Sequence, residues 1–279
     1  MSKKTSNRAQ EGLVYSLLIL MALFSLAPIL WAVLTSFRTL TDTFARPINW
    51  LPKPFTFENY RLIWTRYPLG VYLQNSLIIA VVSVGASLLL GSLAAYGVSR
   101  YRIWGKRHFL TFVLLTQMFP YVTLLLPYFR VFTVLGLLDS KWALILTHLS
   151  FGLPFCIWMM KSFIDGIPTD LDDAAKVDGC NALQAFWAVV LPAAKPGLAA
   201  TAVYAFLTSW NDYVFALNLT SSNSQRTVTV GLASLIGAYH VDWNGLMTMA
   251  VIVSIPSIIG FSFVQRYLVK GLTAGAVKG

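Results

Sequence analysis

Apolar runs of about 20 residues recur along this chain, and that is the length that crosses the hydrocarbon core of a bilayer. In hydrocarbon a segment must satisfy its own backbone hydrogen bonds, so each run is expected to be a helix. The chain is 57% hydrophobic and only 11% charged over 279 residues, whereas a soluble domain is about 25% charged. Most of its surface therefore faces something other than water. The net charge of +10 does not point to nucleic acid, because the basic residues sit mostly at the ends of apolar runs, as membrane anchoring predicts. The first run, Leu13 to Phe37, follows Lys3, Lys4 and Arg8 and exceeds the roughly 7–15-residue core of a secretory signal, so it is read as a retained span.

Five further spans are predicted: about Val71 to Ser99, His108 to Thr133, Trp142 to Phe163, one starting near Gly197, and Gly245 to Leu268. The expected fold class is all-α, a polytopic integral membrane protein with six transmembrane helices. In the second span Ser83, Ser87, Gly91, Ala95 and Ser99 recur every four residues, a spacing that lets two membrane helices pack closely. Pro120 removes a backbone donor near the middle of the third span, beside Gln117. In the fifth, Thr201, Tyr204, Thr208 and Asn211 share one helical face, and Asp212 adjoins them. Amides and carboxylates inside spans are costly and mark function by default. Gln117, Tyr204, Thr208, Asn211 and Asp212 are therefore the candidate substrate path. His148, in the fourth span, is read as a packing residue.

Two loops are long. Arg38 to Leu69 carries four prolines and too few apolar residues to build a core alone. Asn218 to Asn244 has a polar tip, Ser221 to Arg226, then Leu232, Leu235, Ile236 and Tyr239 at helical spacing. Six spans put both termini on one side, which holds thirteen of the 21 basic residues, four of them dense in the Arg100–Arg107 turn. The positive-inside rule places that side in the cytoplasm. Cys156 and Cys180 give neither a disulfide framework nor metal spacing.

The longest polar interruption in the second half lies within residues 164–196 and reads as two short helices joined at a glycine. Thr169 is placed to cap the first, with Asp172 as a partial capping box; Asp170, Asp172 and Asp173 complement its dipole. Gly179 fits the left-handed position that ends it. Asn181 caps the second helix and Pro192 stops it. Leu183, Phe186, Trp187 and Val190 are spaced as that helix's apolar face. Ala174 and Ala175, small residues beside carboxylates, leave room for a partner's backbone. By spacing alone this stretch is an amphipathic loop on the membrane surface.

An acidic residue, Ala174-Ala175, three residues, Gly179, nine residues, an aliphatic residue, one residue and Leu191-Pro192 resemble the cytoplasmic signature loop of ABC importer permeases. The family's usual Glu is Asp173 here and its usual Ile is Val189. With the Trp210-Asn211-Asp212-Tyr213 motif and the ending Val269 to Gly279, the resemblance covers nearly the whole chain, and the smaller permease subunit of maltose-type importers is the most similar type. The resemblance implies a single permease domain over residues 1–279. Within it, residues 164–196 form a short cytoplasmic coupling helix and its loop, using Asp172, Asp173, Ala174, Ala175, Asp178, Gly179, Leu191 and Pro192. It implies a multi-pass protein of a prokaryotic inner membrane with both termini cytoplasmic. It also implies a second, different permease subunit, two ATPase subunits that bind ATP and Mg, and an external substrate-binding protein. In the family the tail reaches the ATPase dimer and the loop between spans five and six touches the binding protein.

The chain has no G-x-x-x-x-G-K-[ST] of its own, so no P-loop, and none of the common hydrolase motifs. The expected function is a transport subunit for a sugar, without an enzyme's site or a cofactor of its own. Two alternatives stand beside it: a proton-coupled transporter using Asp212 and His148 as a relay, and an ABC permease for a non-sugar solute such as a glycerol phosphate.

Overall fold

A computed structural model describes residues 2–237, 239 and 241–276, with side chains from 11 to 263 and at 265, positions 238 and 240 apart. The tail motif from Val269 to Gly279 lies outside the described side chains. The described residues are nearly all helical. In chain order the helices are α1 (Ser2–Ser36), α2 (Leu40–Thr43), α3 (Glu58–Arg66), α4 (Leu69–Arg100), α5 (Lys106–Thr116), α6 (Leu125–Val134) and α7 (Lys141–Asp165). They continue as α8 (Asp170–Val177), α9 (Ala182–Ala185), α10 (Leu191–Ala193), α11 (Lys195–Trp210), α12 (Val214–Leu219), α13 (Val228–Ala233) and α14 (Trp243–Ala276). A 3₁₀ turn, Tyr121–Leu124, leads into α6, and a π-helical turn, Phe186–Val190, joins α9 to α10.

Among the described residues four helices are long and apolar enough to cross a membrane: Glu11–Ser36, Leu69–Arg100, Lys141–Asp165 and Trp243–Phe263. Two bent pairs raise the number to six if each is one span. The expected third span is not continuous: α5 and the Tyr121–Val134 segment meet at 94°. Pro120 has no N–H to continue the ladder, and its extended backbone (φ −59°, ψ 122°) starts the 3₁₀ turn instead. The expected fifth span is also short. α11 has 16 residues, about 24 Å at 1.5 Å per residue, and meets the preceding Ala182–Ala193 helix at 80°.

The chain divides into a unit of Met1–Tyr67 with Leu232–Ser254 and another of Pro68–Gly231 with Ile255–Gly279. In the first, polar groups organise the Arg38–Leu69 loop, beside a cluster of the Phe37, Phe55 and Phe57 rings. Arg38 is buried, lies 3.8 Å from Asp42 and donates to the Asn49 carbonyl. Asn49 donates to Asp42 at 2.6 Å, and that hydrogen bond is the main force holding the Asp42 carboxyl below the usual carboxylate range. Asn244 reaches the Arg38 carbonyl at 2.8 Å. The helix expected over Leu232 to Tyr239 does not form. α13 ends at Ala233, Leu235 turns inward, and Ile236 pairs with Val241 in an isolated bridge.

The second unit is built on α4 against α7. Ser83, Ser87, Gly91 and Ala95 are buried on that face. A Cβ on Gly91 would lie 2.6 Å from the Cys156 Cβ, and one on Gly152 would lie 3.0 Å from the Ser87 Oγ. α11 joins this pair as closely: a Cβ on Gly197 would lie 2.4 Å from the Phe163 ring. Gly91→Ala is therefore expected to lower the thermal midpoint of the purified protein through overpacking worth about 1–3 kcal/mol. Gly85→Ala, on the same helix but with nothing within 4 Å, should keep or raise it, since alanine favours a helix over glycine by about 1 kcal/mol. Equal midpoints would remove the close approach as the organising contact.

Candidate functional site

The predicted site residues fall in two places, a helical hairpin beneath α4 and a cavity among α5, α7 and α11. In the hairpin, α8 ends in a complete Schellman closure. Gly179 N donates to Lys176 O at 3.0 Å and Cys180 N to Ala175 O at 2.9 Å, with Gly179 at φ +85°. Asn181 then starts α9 with a full capping box, because Gln184 returns the bond to the Asn181 backbone. The other expected cap is absent. Thr169 is already helical (φ −65°, ψ −23°) and makes no side-chain cap bond. Its proposed partner is otherwise engaged: Asp172 accepts from Tyr96 Oη at 2.9 Å and Arg100 Nε at 2.8 Å. Arg100 also donates to the Ile167 carbonyl at 2.9 Å, so both ends of the approach to α8 are tied to the last turn of α4.

This pairing divides the predicted patch. Asp172 and Ala175 point into the chain. Asp173, Ala174, Val177, Asp178 and Gly179 are exposed on the other side. Lys176 lies there too and donates to Asp173 at 2.8 Å, which raises the ammonium's pKa. Pro192 does not stop the second helix. It lies within the helix, which continues from the π turn and ends one residue later at Ala193. Leu191 is half-buried and Pro192 exposed. The predicted apolar face is also redrawn. Phe186 and Val190 are buried with Ala185, in a core with Tyr96, Met160 and Ile164, while Leu183 and Trp187 are 57% and 47% exposed. The π turn accounts for this, since its extra residue breaks the 3.6-residue register.

The cavity has a volume of about 140 Å³. Gln117, Tyr204 and Thr208, all from the predicted path, line it. Tyr204 stacks on Phe155 with centroids 3.8 Å apart, and Gln117 donates to the Phe151 carbonyl at 3.3 Å. Asn211 is exposed but away from the lining, and Asp212 is buried behind it. The Asp212 carboxylate accepts from Phe215 N at 3.3 Å and Ala216 N at 3.0 Å, capping α12, and from Tyr121 Oη at 2.9 Å. His148 Nε2 lies 3.8 Å from it. The two residues named for a proton relay are thus neighbours, and Asp212 has a structural role in holding α12 and the broken third segment. Sequence reasoning missed His148, Ser209 and Tyr121 as lining residues. For Tyr121, the signal was its position next to Pro120.

The family model for "Binding-protein-dependent transport system inner membrane component" matches residues 87–274, a stretch that contains both places. The chain belongs to that family. As such a permease it is 34% identical over 274 residues to the sulfoquinovosyl glycerol transport system permease protein SmoH of Agrobacterium fabrum, covering 98% of this chain and 95% of the relative. It is 36% identical over 258 residues to the trehalose transport system permease protein SugB of Mycobacterium tuberculosis, covering 92% and 93%. A solved bacterial ABC transporter that imports the acidic polysaccharide alginate contains a chain that matches this permease with a TM-score of 0.84 at 25% identity, over 96% and 98% of the two chains.

The geometry of the hairpin sets an order of sensitivity. Asp172→Ala leaves the buried Arg100 without its carboxylate, and breaking a buried pair from one side costs about 3–5 kcal/mol. Asp173→Ala removes only an exposed contact and should leave the thermal midpoint of the purified permease unchanged. An equal effect of both substitutions would mean that the Asp172–Arg100 pair does not anchor α8.

Proposed function

We propose that this chain is one of two transmembrane subunits of a binding-protein-dependent ABC importer for a sugar. In this reading both bent pairs are spans, giving six, and α8 with its flanking loop over residues 164–196 is the cytoplasmic coupling helix of a single permease domain. The observation that carries it is the outward face of α8. A short helix, closed by a left-handed glycine and anchored from behind by Asp172, presents Asp173, Ala174 and Val177 to whatever lies beyond the chain. The small Ala174 allows the backbone of a partner subunit to come close there. The partners are two ATPase subunits that hold ATP and Mg, a second and different permease subunit and an external binding protein. Both termini lie in the cytoplasm of a prokaryote's inner membrane, in agreement with the basic Arg100–Arg107 turn. The relatives named for trehalose and for sulfoquinovosyl glycerol support a carbohydrate as cargo. The cavity lined by Gln117, Tyr204 and Thr208 is this subunit's part of the path. Family membership favours this reading over a proton-coupled transporter.

Two experiments test it. Ala174→Trp and Gly179→Val are expected to leave the protein inserted in the membrane but to lose co-purifying ATPase and uptake together. Tryptophan overfills the contact, and valine cannot hold φ +85° without strain. Full ATPase retention with normal uptake in Ala174→Trp would return this helix to a membrane-surface loop. For orientation, a cysteine replacing the fully exposed Trp104 should resist a membrane-impermeant reagent in intact cells, and one replacing the exposed Ser221 should react. The reverse pattern would put α8 on the wrong side for an ATPase.

A further inference from the structure

α5 begins where a helix dipole favours negative charge, and it carries positive charge instead. Its first turn holds Lys106, Arg107 and His108, with no acidic residue and no side-chain cap. Cations there oppose the partial positive charge of the helix N-terminus, whereas an anion is attracted by both. The chain's own carboxylates do not neutralise this turn. Among the described residues no carboxylate lies within 4.0 Å of Arg102, Lys106 or Arg107. Asp165 is within electrostatic range of Lys106 but is held by Lys161, and Asp172 is held by Arg100.

Lys106 and Arg107 also line a cleft between α5 and α7, with a volume of about 420 Å³. The rest of its lining is Leu110, Thr111, Leu114 and Trp158. At 1.5 Å per residue, Leu114 lies about 11 Å along the axis from Arg107. The cations therefore stand at one end of the cleft, and an apolar wall runs from them towards the break at Gln117 to Pro120. In the turn before α5, Trp104 is fully exposed and Tyr101 and Ile103 are about half exposed. Aromatic and apolar residues beside cations are the composition of a membrane–water interface.

The two ends of the cleft ask for two properties in one ligand. A free anion would use the cations and leave the apolar wall bare. A neutral lipid would cover the wall and leave the cations unanswered. A phospholipid with a net negative head group uses both. In a bilayer an acyl chain gains little by exchanging lipid neighbours for leucines, so the wall positions the chain and the selectivity comes from charge. Basic pockets between membrane helices hold anionic head groups in this way.

We propose that the cleft between α5 and α7 is a binding site for an anionic phospholipid, with Lys106 and Arg107 on its phosphate and Leu110, Leu114 and Trp158 along an acyl chain. The inference needs only a membrane protein and holds whichever side the turn occupies. The full-length permease, purified in its native assembly, is titrated in detergent with acyl-brominated phosphatidylglycerol and, separately, with acyl-brominated phosphatidylcholine. Bromine quenches a tryptophan that it touches, and the difference between the parent and Trp158→Phe isolates the cleft. Phosphatidylglycerol should quench Trp158 saturably, at an affinity roughly tenfold or more above that of phosphatidylcholine. Lys106→Gln and Arg107→Gln should each weaken it roughly fivefold, the equivalent of about 1 kcal/mol per basic residue. Arg102→Gln removes a charge from the same turn but not from the cleft, and should change it less than about twofold. Thr111→Phe keeps every cation and narrows the cleft, and should abolish the preference. Equal quenching by the two lipids overturns the site. Equal effects of Arg102→Gln and Arg107→Gln overturn it in favour of a diffuse surface potential. An absence of Trp158 quenching by either lipid overturns it in favour of a protein partner over the cleft.

Discussion

The close approach of α4 and α7 is the contact on which the second unit depends. In lipid, burying a leucine gains little, because the surroundings are as apolar as the residue itself. Helices there associate through van der Waals contact at short range. Gly91 against Cys156 and Gly152 against Ser87 provide that contact, and a Cβ on Gly91 would not fit at the observed separation. With α4 and α7 fixed together, Gly197 brings α11 against Phe163 on the same scaffold. The cavity is what remains where this tight packing stops. Its walls come from α11, the upper part of α7 and the broken third segment, in which Pro120 prevents a continuous helix from closing the gap.

Charge does a different job at the end of this scaffold. Asp172 and Arg100 are both nearly buried, with Tyr96 completing the carboxylate's bonds. A buried ion pair adds little net stability over an apolar substitute, but it is intolerant of mispairing. The same arrangement separates two neighbouring carboxylates. Asp172 is neutralised inside and Asp173 is paired with Lys176 on the surface.

Much of this was legible in the sequence, and the failures have physical causes. Period, length and small-residue spacing gave α1, α4, α7 and α14, because a single apolar helix is a local matter. The four-residue stripe from Ser83 to Ala95 marked a packing face that is buried against α7. The positive φ of Gly179 was legible for the same local reason. Errors arose where a distant partner competed with a local one. The capping box at Thr169 lost its acidic half because Asp172 bonds across 72 and 76 residues to Arg100 and Tyr96. Leu183 and Trp187 were misplaced because a π turn changes the register, and a periodicity argument assumes one register throughout. Asp212 was correctly singled out as costly, but its partners are the N–H groups of α12 and a tyrosine 91 positions earlier. His148 was set aside as packing because a lone histidine carries no signal until its neighbours are known.

The hairpin and the cavity are built on the same helices. From α8 the stiff contacts run two ways. Asp172 leads to Arg100 and Tyr96 at the end of α4, and Phe186 and Val190 lead to Met160 and Ile164 of α7. Between these two routes α4 and α7 are held together where Gly91 meets Cys156. The break at residues 117–120 is held by the Gln117–Phe151 bond at 3.3 Å and the Tyr121–Asp212 bond at 2.9 Å. α7 and α11, which pack on the core of the hairpin, thus carry one wall of the cavity, and the broken segment carries another. The ion pair fixes α8 on α4, the glycines hold α4 and α11 against α7, and the proline break leaves the gap in which the cavity lies.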